Sequence, residues 1–147
     1  LVANRQRSEP PAPEGITVAG NVDDYSPFVP VTDAMLEAPD PADWPMIRRS
    51  YDAHSFSPLD QINTANVDSL SLEWVWNMHE GDSEPSPLVY KGIIYLINPG
   101  NVIQALDGKT GELIWENWAG PANRQDMRNI AIYNDKIIQA TTDARLC

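Results

Sequence analysis

Two stretches of the chain, Tyr90-Lys-Gly-Ile-Ile94 and Tyr133-Asn-Asp-Lys-Ile137, align at an offset of 43 residues, and the same offset carries Ile103 onto Leu146. A period of about 40 to 50 residues filled with short β-type runs predicts a β-propeller, an all-β fold in which each repeat is one four-stranded blade buried by its neighbours. The runs are Leu72 to Met78, Leu88 to Tyr90, Ile93 to Ile97, Val102 to Leu106, Leu113 to Trp115, Ile130 to Tyr133 and Lys136 to Ala140, separated by Gly, Pro, Asn and Asp. No long helical period interrupts them. Blade one is predicted at 86–117. Blade two starts near Asn129 and reaches its third strand at Cys147. Repeat arrays need roughly three or more units to cover their faces. About one and a half blades are therefore expected to need further blades, from the same gene product or from another chain. Leu72 to Met78 is expected to be the outer strand of the last blade, closing the ring.

Asn101 to Glu116 reads NVIQALDGKTGELIWE, and its Gly-Lys-Thr could belong to a phosphate-binding loop. Such a loop needs a glycine five positions earlier and a helix afterwards, but Ile103 holds that position and strand-forming residues follow. Asp107 to Gly111 is predicted instead to be a hairpin loop, with Asp accepting local backbone hydrogen bonds and Gly tolerating positive φ.

Residues 1–45 carry eight of the thirteen prolines, and eight acids against two arginines. That composition cannot bury enough apolar surface to fold alone, so the segment is predicted to be an arm preceding a propeller portion at 46–147. Within the arm, Thr32 is the expected N-cap of a short helix to Glu37, and Trp44 is expected to pin the arm to the body. Asn63 to Leu70 is a candidate for two helical turns. The formal net charge of −11 opposes binding to nucleic acid or anionic lipid, and no apolar run is long enough to span a membrane. A single cysteine, Cys147, excludes a disulfide within the chain and any CxxC metal or redox motif.

Several segments taken together resemble the quinoprotein alcohol dehydrogenases, whose cofactor is pyrroloquinoline quinone (PQQ). They are Arg49-Ser-Tyr51, Ser57-Pro-Leu-Asp-Gln-Ile-Asn63 with Asn66-Val67, Trp74, Pro87-Leu-Val89, Ala105-Leu-Asp-Gly-Lys-Thr-Gly111 with Trp115, Ala131-Ile-Tyr133, and Thr141-Thr-Asp-Ala-Arg-Leu146. The resemblance implies an eight-bladed propeller with PQQ on its axis beside a calcium ion. It also implies a periplasmic enzyme that oxidises a small alcohol and passes electrons to an acceptor such as a c-type cytochrome. PQQ is a flat, anionic tricarboxylate, so it needs cations and hydrogen-bond donors at its edge and apolar surfaces above and below.

Three residues match cofactor-binding positions of the family. Glu84 matches a glutamate in the loop entering blade one, against the alternative of a solvated acid in the HEGDSE run. Arg128 matches an arginine that reaches the quinone oxygens, against an ordinary surface arginine. Thr141 matches a threonine that hydrogen-bonds a PQQ carboxylate, with Thr142 in its place if the register slips, against a β-branched strand residue. The calcium ligands and the catalytic aspartate are expected outside this chain.

One departure stands out. Members of the family commonly carry adjacent cysteines just ahead of the arginine, forming a disulfide over one face of PQQ, whereas Ala122 to Met127 contains none. His54 and His79 lack partners at metal-ligand spacing, and the His79 to Glu84 run lacks the alternating ligands of an EF-hand. A different class also uses these repeats, a propeller scaffold that binds protein without cofactor or chemistry. The long SPLDQIN lead-in favours the enzyme.

Overall fold

The computed structural model describes residues 16–18, 25, 27–82, 84–120, 130–141 and 145–147, the first segment by its backbone. β1 (Ile16–Val18), β2 (Leu88–Tyr90), β3 (Ile93–Asn98), β4 (Val102–Asp107) and β5 (Leu113–Trp118) form one antiparallel sheet in the order β1-β5-β4-β3-β2. β6 (Ile130–Tyr133) and β7 (Lys136–Gln139) pair antiparallel in a second sheet. β2 to β5 are the four strands of blade one.

The repeat holds in register as well as in sequence. Leu88 pairs with Tyr95 and Tyr90 with Ile93, and displacement by 43 residues turns these into the observed pairs Ala131 with Ile138 and Tyr133 with Lys136. The bridge between Ala140 and Leu146 likewise repeats the pairing of Ile97 with Ile103. Leu146 and Cys147 thus begin the third strand of blade two, with Gln139 N donating to Cys147 O (2.8 Å) and Cys147 N to Gln139 O (2.9 Å).

Turn chemistry explains the hairpins. Lys91 (φ 51°) and Gly92 (φ 78°) are both left-handed, as a two-residue loop between twisted strands requires. In the predicted loop, Asp107 Oδ1 accepts from the N–H groups of Lys109 (2.8 Å) and Thr110 (2.7 Å), and Gly111 takes φ 73°. The Tyr25 hydroxyl donates to the other carboxylate oxygen. The Tyr25 hydrogen bond first, and then the backbone donors, hold the Asp107 carboxyl below the usual carboxylate range. A strand follows at Leu113 with no helix at Thr110, so the phosphate-loop geometry is absent.

Alternation gives blade one two faces. Leu88, Tyr90, Ile93, Tyr95, Ile97, Ile103 and Ala105 cluster with Ile130 and Ile132 of blade two and with Val31 and Leu36. Burial of each large member stabilises the fold by about 1.5–3 kcal/mol. Toward the other face, Trp76 Nε1 donates to buried Gln104 (2.9 Å), and the Trp74 ring lies against Gly111. The segment 72–78 runs along this face without strand pairing among the described residues, and the last blade, with which it is expected to pair, is not part of this chain. Both edges of blade one have partners: β1 on β5, and Trp44 bridged to Val89 on β2.

The N-terminal segment is more integrated than its composition predicts. Trp44 pins it as expected, by Trp44 N to Val89 O (2.7 Å) and Val89 N to Trp44 O (2.9 Å). It also supplies β1 and buried Val31, which bridges to Asn134. Helix α1 (Asp33–Glu37) is capped by Thr32, whose side chain accepts from Met35 N (3.4 Å), and it ends ahead of Pro39. Within Asn63 to Leu70 only a 3-10 turn forms, at Val67–Ser69. No helix among the described residues is long and apolar enough to cross a membrane.

Candidate cofactor-binding site

Antiparallel pairing brings the start of β2 and the end of β3 to one end of blade one, and the start of β6 and the end of β7 to one end of blade two. These two ends are joined, because Gln139 Nε2 at the end of β7 donates to Asn101 Oδ1 in the β3–β4 turn (3.0 Å). His79 N donates to Asn98 Oδ1 (2.9 Å), which brings the segment running to Glu84 and β2 to the same end.

Two of the three sequence-predicted residues fall at this end. Glu84 is exposed in the segment that enters β2. Thr141 is buried directly after β7, at the position the repeat assigns to Asn98 of blade one. Its hydroxyl donates to Arg145 O (3.1 Å) and accepts from Arg145 N (3.0 Å), closing the turn. To donate to a ligand it must exchange that acceptor for the ligand's oxygen. Arg128 and Thr142 lie outside the described residues. So does the 122–127 stretch that lacks the cysteine pair.

Sequence reasoning missed a set of buried amides here. Gln104 Oε1 accepts from Trp76 Nε1 and from Asn98 Nδ2 (2.5 Å), while Gln104 Nε2 donates to Glu116 Oε2 (3.1 Å). Asn101 Nδ2 donates to Gly120 O (3.0 Å), and Trp118 Nε1 to Gly100 O (3.1 Å). The available signal was polar residues in inward-facing slots of apolar strands, since buried amides occur where each polar atom has a partner. Gln139 Oε1 departs from that rule, being buried without one among the described residues.

His54 is exposed and paired with Asp52 (3.0 Å), and His79 enters the structure through its backbone N–H. No group of three or more potential metal ligands occurs among the described residues. A cavity of about 260 Å³, lined by Tyr25, Phe28, Tyr90, Lys91 and Tyr95 among others, lies at the opposite, Lys91 end of the blade. There burial, and then neighbouring Tyr90, push the Tyr95 hydroxyl up to about 12.

Residues 44–147 match the family model described as the PQQ glucose/ethanol/alcohol dehydrogenase β-propeller domain. The chain belongs to this PQQ dehydrogenase family. Relatives of this family include the dehydrogenase subunit of the quinone alcohol dehydrogenase of Gluconobacter oxydans, which is 36% identical over 72% of this chain and 15% of its own length. The solved quinohemoprotein alcohol dehydrogenase ADHIIG of Pseudomonas putida HK5 superposes with a TM-score of 0.67 at 30% identity, over 80% of this chain and 19% of its own. A europium-containing methanol dehydrogenase gives a TM-score of 0.68 at 28% identity, over 77% and 22%. The chain thus spans between 15% and 22% of the length of these relatives.

The residues present fit an anionic quinone of the PQQ type. The end that carries Thr141 also carries exposed Arg145, whose Nη1 reaches Ala119 O (3.3 Å). A hydroxyl and a guanidinium on one end form part of the donor set that a tricarboxylate requires.

Proposed function

We propose that the chain is the N-terminal portion of a PQQ- and calcium-dependent, periplasmic dehydrogenase. Its substrates are small alcohols, converted to aldehydes or ketones, and its electrons pass to an acceptor such as a c-type cytochrome. The observation that carries this reading is the match to the PQQ propeller domain across residues 44–147. When bound, PQQ and its metal supply the two-electron acceptor and the Lewis acid.

What this chain contributes is binding and orientation. Arg128, two residues before β6 in the sequence, is the family match for an arginine at the quinone oxygens, a role that suits a guanidinium because it can grip two oxygens at once. Thr141 offers its hydroxyl to a carboxylate. Glu84 brings negative charge to the same end, so it pairs with an N–H or O–H of the cofactor and is kept from the PQQ carboxylates by like-charge repulsion. The metal ligands and the base that takes the alcohol proton lie in blades outside this chain.

The test is dye-linked alcohol oxidation by the complete gene product, reconstituted with PQQ and calcium. Turnover that requires both supports the reading. Saturable PQQ binding without oxidation of any primary or secondary alcohol removes the alcohol dehydrogenase assignment, and no PQQ binding at all returns the chain to the scaffold class.

A further inference from the structure

At the Thr141 end, hydrogen bonds close a circuit across the seam between the two blades. Asn101 Nδ2 donates to Gly120 O (3.0 Å), and Asn101 Oδ1 accepts from Gln139 Nε2 (3.0 Å). From Gln139 the chain runs on to Thr141, whose hydroxyl and backbone N–H bind Arg145. Arg145 Nη1 returns to Ala119 O, beside Gly120 (3.3 Å).

Both amides at the centre are fully enclosed: Asn101 and Gln139 are each 0% exposed. Asn101 sits at φ 64°, a region that Asn enters more readily than most residues, and its backbone oxygen accepts from Ala119 N (3.0 Å). One side chain thereby ties the β3–β4 turn, the exit from β5 and the end of β7. Gln139 Oε1 is buried with no partner among the described residues. A Met would fill the slot without that unsatisfied oxygen, so what Gln139 alone provides is its N–H toward Asn101. Elsewhere the blades meet through Ile130 and Ile132, apolar contacts that stabilise without fixing direction. Directional bonds are what hold a binding residue to a few tenths of an ångström.

The geometry points to Asn101 and Gln139 as positioning residues for PQQ: their hydrogen bond fixes the end of β7, and with it Thr141, against blade one. This rests on the reading of Thr141 as a PQQ ligand, and it adds the pair that aims it.

The experiment titrates PQQ into the complete apo-protein and follows the dissociation constant by absorbance, with the melting midpoint measured alongside. Asn101→Ala and Gln139→Met are each expected to raise the dissociation constant about tenfold, as loss of a partner that orients a ligating group does. In a Thr141→Val background, Asn101→Ala is expected to add less than about threefold, because coupled residues are not additive. Ile132→Val, in the interblade core outside the circuit, is expected to lower the melting midpoint and leave PQQ affinity unchanged. Gln139→Met carries the test if Asn101→Ala does not fold. Unchanged affinity in both amide variants, where Thr141→Val weakens PQQ, overturns the positioning role. So does a full tenfold effect of Asn101→Ala on top of Thr141→Val. A wild-type protein that takes up no PQQ removes the proposed function itself, an outcome separate from either of these.

Discussion

Trp74 lies so close to the backbone of Gly111 that a Cβ built on the glycine would meet Trp74 Cδ2 at 2.5 Å and Cε3 at 2.7 Å. The same glycine takes φ 73°, so it serves the turn and the packing together. Gly111→Ala is expected to destabilise the complete protein by about 2–4 kcal/mol, adding left-handed strain to an overpacked contact. Denaturant midpoints measure it. In a Trp74→Ala background the steric part should vanish and only the strain remain. An equal cost in both backgrounds would place the whole effect in the backbone.

Acid titration tests the Asp107 loop. Donors from Tyr25, Thr110 and Lys109 depress this carboxyl, so its stabilising effect is present above the unfolded value and is lost as pH falls through the lower folded value. The stability gap between wild type and Asp107→Asn is therefore expected to be full at neutral pH and to close below about pH 4. Urea midpoints across that range give the answer. A gap that does not change with pH would mean the loop is held by its geometry and not by the charge.

Much of this fold was legible because strand residues and turn residues alternate on the page. The 43-residue offset that carries Ile103 onto Leu146 also holds for the bridge between Ala140 and Leu146. Leu72 to Met78 shows what alternation can and cannot say: it marks Trp74 and Trp76 as the side chains that turn toward blade one, but pairing as a strand needs the last blade, which this chain does not contain. β1 was invisible for the converse reason. Three β-branched residues in a proline-rich segment become a strand through β5, whose Trp115 to Asn117 lie far along the chain. Glu84, Arg128 and Thr141 were proposed through motif resemblance alone. The buried amides Asn101, Gln104 and Gln139 were not legible, since an amide's role is set by partners in other strands.

Gln104 concentrates that hidden information. Gln104→Leu leaves Trp76 Nε1 and buried Asn98 Nδ2 without their acceptor, and is expected to cost about 1–3 kcal/mol. Gln104→Glu keeps the acceptor but sets a carboxylate against Glu116, whose Oε2 now accepts from Gln104 Nε2 (3.1 Å). Its cost is expected to come from the repulsion of two facing carboxylates. Thermal melts of the two variants at neutral pH, at low and high salt, separate the effects, since salt screens the repulsion. A Glu variant that is as stable as wild type at neutral pH would show that Glu116 turns away.

If the Glu84 and Thr141 end of these blades meets PQQ, the neighbouring Arg128 contributes to its binding, and the PQQ dissociation constant of the complete protein with and without Arg128 tests it. A guanidinium gripping the quinone edge contributes about 1.5–3 kcal/mol as a charge-assisted hydrogen bond. Arg128→Ala is expected to weaken PQQ binding by about ten- to a hundredfold while the melting midpoint of the apo-protein holds, since 1.4 kcal/mol is a factor of ten. Equal affinity in wild type and variant would contradict it.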